Sequence, residues 1–371
     1  MHTVVRDDAE NVTKALDVAG VDSVGCLAHM LQLSVKAGLE SQRALDDTVA
    51  ICRKIATHFR HSTLAKERLA EIQRADSDKK SPVVQQDAGQ TCWNSTFCVV
   101  QRLIEQKKAV IAYWAEHDLL AALTKHQWEL MDRLVAVLEP FEKITPQISS
   151  DDATLADVIP VVTALQMTLE QHDNDSGVQT MKSVLLSNIK DRFADMYDQP
   201  LFVVATVVDP RYKLKFFSEA QQQSATELLI AEVRRIAVLA ATEGTSNGEL
   251  PTTKKRPRLE AASKVSGVMQ EIVSRGAHTG GAETTVSDKA EDQVWLYLAQ
   301  PNIPLSESPT VWWRDNWRLY PQVAAVARRF LSAPATSVPN ERLFSSADRQ
   351  NLLLPDCAGM LLFIRQNIKF D

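Results

Sequence analysis

Apolar residues recur at three- and four-residue intervals over most of this chain, a spacing that predicts a protein built largely of helices. "ALDDTVAICRKIATHFRHS", "FCVVQRLIEQKKAVIAYWAEH", "QWELMDRLVAVLEPFEKIT", "TLADVIPVVTALQMTLEQH" and "VQTMKSVLLSNIKDRFADMY" all carry it. In the second of these, Leu103, Val110, Ile111 and Trp114 make one stripe. Polar turns separate the stretches at the intervals of a helix bundle, so each stripe reads as a face turned toward a core rather than toward a membrane surface.

The first residues follow a different period. "HTVV" is a short β-branched run, and "AENVTKALDVAG" then places Val12, Ala15, Leu16 and Ala19 at helical spacing before a stop at Gly20. "DSVGCLAHMLQLSVKAGL" opens like a strand and continues as an apolar stripe. Strand, helix and strand within about 40 residues make one βαβ unit, a piece of a sheet and not a whole one. The other strands would have to come from upstream, so the chain is expected to enter a domain partway through. "LFVVATVVDPRYK" (201–213) reads as a short β-like or buried run ended by Pro210. Between Ala241 and Asp288 polar and small residues follow no lasting period, which predicts a linker or surface loop. Toward the end, "QVAAVARRFL" sets Val323, Val326, Ala327 and Phe330 on one helical face. Ser337 or Thr336 is placed to cap a following helix, with Pro339 in its first turn. Glu341 then sits beside that helix start, where the dipole favours a carboxylate.

Composition narrows the class. With 371 residues, 45% of them hydrophobic and 24% charged, the chain has globular composition and room for two to three domains. A net charge of -6 argues against a surface uniformly coated for nucleic acid and leaves room for a local basic patch. Five scattered cysteines are not a disulfide framework, which points to a reducing compartment. No apolar run approaches the roughly 18 residues needed to span a bilayer, and a soluble intracellular protein with no membrane partner is expected.

Few residues carry chemistry on their own. Lys254, Lys255, Arg256 and Arg258 suit a nuclear-import run or a solvated loop cluster. Cys26 and His29 are too few for a zinc site, which takes four ligands or three plus water, so core packing is the simpler reading. Trp312 and Trp313 are adjacent, hence on different faces of a helix, and one of them can face a partner while the other fills a core. Glu341 with Arg342 is either a capping or surface ion pair, or part of a site.

Five blocks in register resemble the hAT-superfamily transposases and the BED-type zinc-finger host proteins derived from them. "VVRDDAENVTKAL" resembles the family's Asp-Asn-Ala-x-Asn-Met block and "CLAHMLQLSV" its Cys-x-x-His-x-Leu-Asn-Leu block. "TCWNSTF" is similar to Thr-Arg-Trp-Asn-Ser-Thr-Tyr, and "VVDPRYK" to Leu-Asp-Pro-Arg-Tyr-Lys. From about Trp295 the chain resembles the family's C-terminal dimerisation region, including "LSAPATSVPNERLFSSA" and "LLFIRQN".

The resemblance implies an α/β fold with a large helical insertion: an incomplete RNase H-like core interrupted by an all-helical domain. Residues 1–38 would be the partial core, 39–240 the mostly helical insertion, 241–289 a flexible linker and 290–371 the dimerisation region that completes the core. It also implies chemistry. Three family carboxylates hold two divalent metals for attack on a phosphodiester; hard Mg²⁺ or Mn²⁺ prefers such oxygen ligands. Asp7 matches the second carboxylate and Glu341 the third, Trp93 matches a residue that stacks on a flipped base, and Cys26 and His29 match an active-site-adjacent pair. Trp312, Trp313, Tyr320, Phe330, Leu343, Phe344, Leu361 and Leu362 are the expected dimerisation residues.

Departures from the family pattern weigh on activity. Cys92 stands where an Arg precedes the Trp, Asp8 and Gln32 stand where Asn is usual, and the loop in "SSADRQNLLLPD" is shorter. The first carboxylate would precede Asp7. The expectation is therefore a transposase-derived nuclear protein with no cofactor and a role in DNA-associated or transcriptional regulation, self-associating as a homodimer or with a related subunit and touching DNA indirectly or through a region upstream. The alternative is part of an active Mg²⁺- or Mn²⁺-dependent transposase whose zinc finger and first carboxylate lie upstream.

Overall fold

The computed structural model describes residues 3–7, 10–75, 93–117, 122–171, 176–243 and 286–337. The expected basic run at 254–258, Glu341, Leu343, Phe344, Leu361 and Leu362 lie outside the described residues.

The chain begins as its pattern predicts. Strand β1 (Val4–Arg6) pairs in parallel with β2 (Ser23–Gly25), Val5 opposite Val24, and helix α1 (Glu10–Val18) makes the crossover. Gly20 ends that helix at φ +63°, a left-handed conformation in which glycine carries no Cβ penalty. Gly20 N–H donates to the Asp17 carbonyl and Val21 N–H to that of Leu16, the paired bonds of a Schellman cap. α1 buries none of its residues.

Helices follow. α2 (Leu27–Glu40) buries Leu27, Met30, Leu31, Ser34, Val35 and Gly38, a stripe at helical spacing. Gly38 lets α2 lie close on a later helix: a Cβ there would sit 3.4 Å from Leu185. Next come α3 (Arg43–His61), α4 (Thr63–Ala75), α5 (Trp93–Glu105), α6 (Lys107–Glu116) and the long α7 (Lys125–Ile148). Thr124 and Gln127 form a reciprocal capping box at the start of α7. A 3-10 turn at Leu155–Asp157 leads into α8 (Val158–Glu170), then α9 (Gln179–Arg192), α10 (Pro200–Val208) and α11 (Glu219–Glu243). The described chain resumes with α12 (Val286–Ala299), α13 (Pro309–Asn316) and α14 (Pro321–Phe330).

The run at 201–213, expected to be β-like or buried, is largely buried, and its first part is helix α10, with every residue from Phe202 to Val208 buried. Pro200 opens it at the position where a missing N–H costs nothing, and a helix satisfies its own backbone groups inside an apolar core, whereas a strand there would need partners. The α/β part is the single βαβ unit that the pattern predicts. Among the described residues the sheet consists of β1 and β2, one isolated antiparallel bridge pairs Thr154 with Pro334 elsewhere, and the molecule is mostly helical. A single buried cluster runs from Val24 through the helices to Ala335, so residues 290–335 share the core of the helical region. Among the described residues no helix is long and apolar enough to cross a membrane.

Candidate functional site

β1 and β2 run in parallel, so residues leaving their carboxyl ends emerge at one edge. Asp7 follows β1 and is exposed; Cys26 follows β2, begins α2 and is buried. A third segment closes on them from far along the chain. Ala335 accepts a hydrogen bond from Leu27 N–H at 3.1 Å, Ser337 N–H donates to Cys26 Sγ at 3.3 Å, and Ser337 Oγ donates to Asp7 Oδ1 at 3.2 Å. The fold thus brings together residues 330 positions apart, at the carboxyl ends of parallel strands where α/β proteins place ligands. Glu341 follows Ser337 by four positions, outside the described residues. His29 is half-buried one turn into α2.

The described residues do not make a metal centre. No group of three His, Cys, Asp or Glu stands together among them. One carboxylate beside a hydroxyl and a thiol is not the oxygen-rich set a hard divalent ion takes, so no metal-dependent step follows from this geometry. Trp93 is a packed aromatic rather than the exposed indole that the family's base-stacking role takes: it is buried at the start of α5, edge-on to Phe97 and Phe141 with ring centroids 6.4 Å away.

A denser polar cluster lies where "VVDPRYK" follows α10. Asp209 is fully buried at the end of that helix, and Pro210 prevents its continuation. The Arg211 guanidinium bonds Asp209 Oδ2 at 2.7 Å and Asp157 Oδ1 at 3.0 Å, while the Tyr212 hydroxyl donates to the same Asp157 oxygen at 2.6 Å. Asp157 Oδ2 accepts from Thr154 N–H, and Thr154 is the residue bridged to Pro334. This polar knot therefore holds the segment that continues to Ser337. Burial raises the Asp209 carboxyl above the ordinary range, with the Arg211 hydrogen bonds pulling the other way. Burial also works against the Arg211 charge, but its two carboxylate partners prevail and raise it.

Lys213 joins the knot to the C-terminal helices. Its φ is +48°, an uncommon conformation for a side chain of this size, and its Nζ donates to the carbonyls of Tyr297 and Gln300 at the end of α12. Burial lowers its ammonium to about 8. Tyr297 in turn donates to the Val207 carbonyl, and Trp313 Nε1 to that of Val208. Tyr297, Trp312, Trp313 and Tyr320 form one aromatic cluster over the end of α10.

That packing gives expected dimerisation residues a role within the chain. Trp313, Tyr320 and Phe330 are buried inside the chain and Trp312 is half-buried against it, where α10 offers a largely apolar helix to cover. Exposed apolar residues of this C-terminal part include Trp295, Leu296, Leu305, Val311, Trp317 and Leu319. Trp317 borders a groove of about 570 Å³ between α13 and α14. The sequence reading missed the knot's partners Asp157 and Tyr297 and the groove residue Trp317. "VVDPRYK" was the available signal for the first two; helical spacing of Thr310, Trp313, Arg314 and Trp317 was available for the third.

Comparison with known proteins bears on this arrangement. Residues 24–137 match the ZBED1 RNase-like helical domain, and residues 294–368 match the hAT family C-terminal dimerisation region. Human zinc finger BED domain-containing protein 4 is 28% identical over 370 residues, covering 98% of this chain and 31% of that protein. The putative transcriptional regulator tpeD of Talaromyces stipitatus is 22% identical over 387 residues, 94% of this chain and 42% of the relative. The putative AC transposase of Zea mays is 21% identical over 362 residues, 94% of this chain and 44% of the relative. The chain thus spans between about a third and less than half of these relatives. With matches to an RNase-like helical domain and to a hAT dimerisation region in one chain, it resembles both the hAT transposases and the transposase-derived BED-type zinc-finger proteins.

Proposed function

We propose that the protein is a transposase-derived nuclear factor that self-associates through its C-terminal hAT region and acts in DNA-associated or transcriptional regulation without strand transfer. The observation that carries this reading is the match of residues 294–368 to a dimerisation region whose described part is packed on the helical core and exposes apolar side chains. The names of a zinc finger BED protein and a transcriptional regulator among the relatives support the regulatory role. No cofactor is assigned to the regulator, and homodimer, nuclear residence and indirect DNA contact belong to the proposal. Molar mass by light scattering on the full chain tests its core. A dimer at micromolar concentration is expected; a monomer throughout would overturn it.

A second reading has one observation in its favour. The hydrogen bond from Ser337 to Asp7 sets the approach to Glu341 beside a family carboxylate position. In that reading Asp7 and Glu341 are two ligands of a Mg²⁺ or Mn²⁺ centre, completed by residues outside this chain, in a DNA transposase. Metal-dependent cleavage or strand transfer by the longer protein, abolished in Asp7→Asn and in Glu341→Gln, would favour it over the regulator.

A further inference from the structure

We infer that the groove between α13 and α14 is a two-fold contact for a second copy of this chain, each copy seating its Trp317 in the recess of the other. The inference rests on the self-association reading above and gives it a surface. Thr310, Trp313, Arg314 and Trp317 follow one another at helical spacing along one wall, and Pro321, Ala324, Ala325, Arg328 and Leu331 do so along the other. The alanines leave the recess open; larger residues at those positions would fill it.

The same face carries a projection. Trp317 is 52% exposed, and Leu319 and Val311 of the same stretch of chain are 63% and 44% exposed. Recess and projection on one patch meet the requirement of an isologous contact, in which residue i of one copy meets residue j of the other and j meets i. Tryptophan and arginine are also the residue types that anchor interface centres, and both line this groove. The second copy is chosen as occupant because every residue of the groove lies within 294–368, the stretch matched to a dimerisation region.

The test uses the full chain. Sedimentation equilibrium would compare the wild type with Trp317→Ser, with Ala324→Arg and with Leu64→Ser. Leu64 serves as control because it is 77% exposed on α4, outside the matched region. The expected result is a wild-type dimer, dissociation constants raised at least tenfold in the first two variants, and no change in the control. Mixed Trp317→Cys and Ala325→Cys chains should also cross-link through a short bis-maleimide more efficiently than either alone. Trp317 projects from the surface, so its variant remains informative if Ala324→Arg misfolds. A wild-type dimer that both variants leave intact overturns the groove while self-association stands. A dimer weakened by Ala324→Arg but not by Trp317→Ser overturns the exchange of tryptophans. A wild type that stays monomeric at every concentration overturns both readings.

Discussion

Arg211 holds two buried carboxylates on one guanidinium, and its loss strands them both. Arg211→Leu is expected to lower unfolding free energy by about 3–5 kcal/mol in urea titration, and adding Asp209→Leu should recover part of that. Lys213→Met removes the donor to two α12 carbonyls, with an expected loss of about 1–3 kcal/mol. The pH dependence has a definite sign. Lys213 titrates near 8 in the fold against 10.5 when exposed, so the unfolded chain binds more protons between those values and stability rises with pH across them. Lys213→Met should abolish that rise. The neutral amine keeps two N–H groups, enough for both carbonyls. His58 behaves in the same direction at lower pH. Burial, then the neighbouring His117 charge, lowers its pKa below 6.5, so its contribution is present above 6.5 and is lost as pH falls through the folded value. His58→Gln should flatten the fall in melting temperature below pH 6.5.

At the scale of elements, local stability should be uneven. α1 buries no side chain and crosses a sheet of two short strands, so its amides are expected to exchange faster than those of α2 in native-state hydrogen exchange; equal protection would show that α1 is held in a way the fold does not account for. Legibility in the sequence follows the same division. β1, α1 and the stop at Gly20 are readable because periods of two and 3.6 alternate there and a glycine marks the turn. α10 is not readable, because a nearly unbroken apolar run has no period and suits a strand and a buried helix equally. Asp7, Cys26 and the Ser337 segment were each singled out by motif, and the fold does bring them together. The knot stayed hidden because Asp157 lies 54 residues from Arg211, and Tyr297 lies 84 from Lys213. Trp313 and Tyr320 are expected at a dimer contact from the family resemblance, because composition cannot distinguish an aromatic that covers α10 from one that covers a partner.

For the whole molecule, the shared core makes residues 290–335 structural, whatever part they take in association. A chain cut at residue 285 loses Tyr297 and Trp313, uncovering the apolar end of α10. Strong binding of a hydrophobic dye and loss of cooperative melting are expected of it; a well-folded monomer would contradict the shared core. Point changes at the groove are therefore cleaner probes of association than truncation. The hydrogen bond between Ser337 and Asp7 has a consequence for synthesis. A ribosome releases Asp7 long before Ser337 exists, and contacts of such sequence separation close late because loop entropy must be overcome first. A product stopped before residue 337 never assembles this corner at all. The corner is thus a record, written in one hydrogen bond, that translation reached at least residue 337.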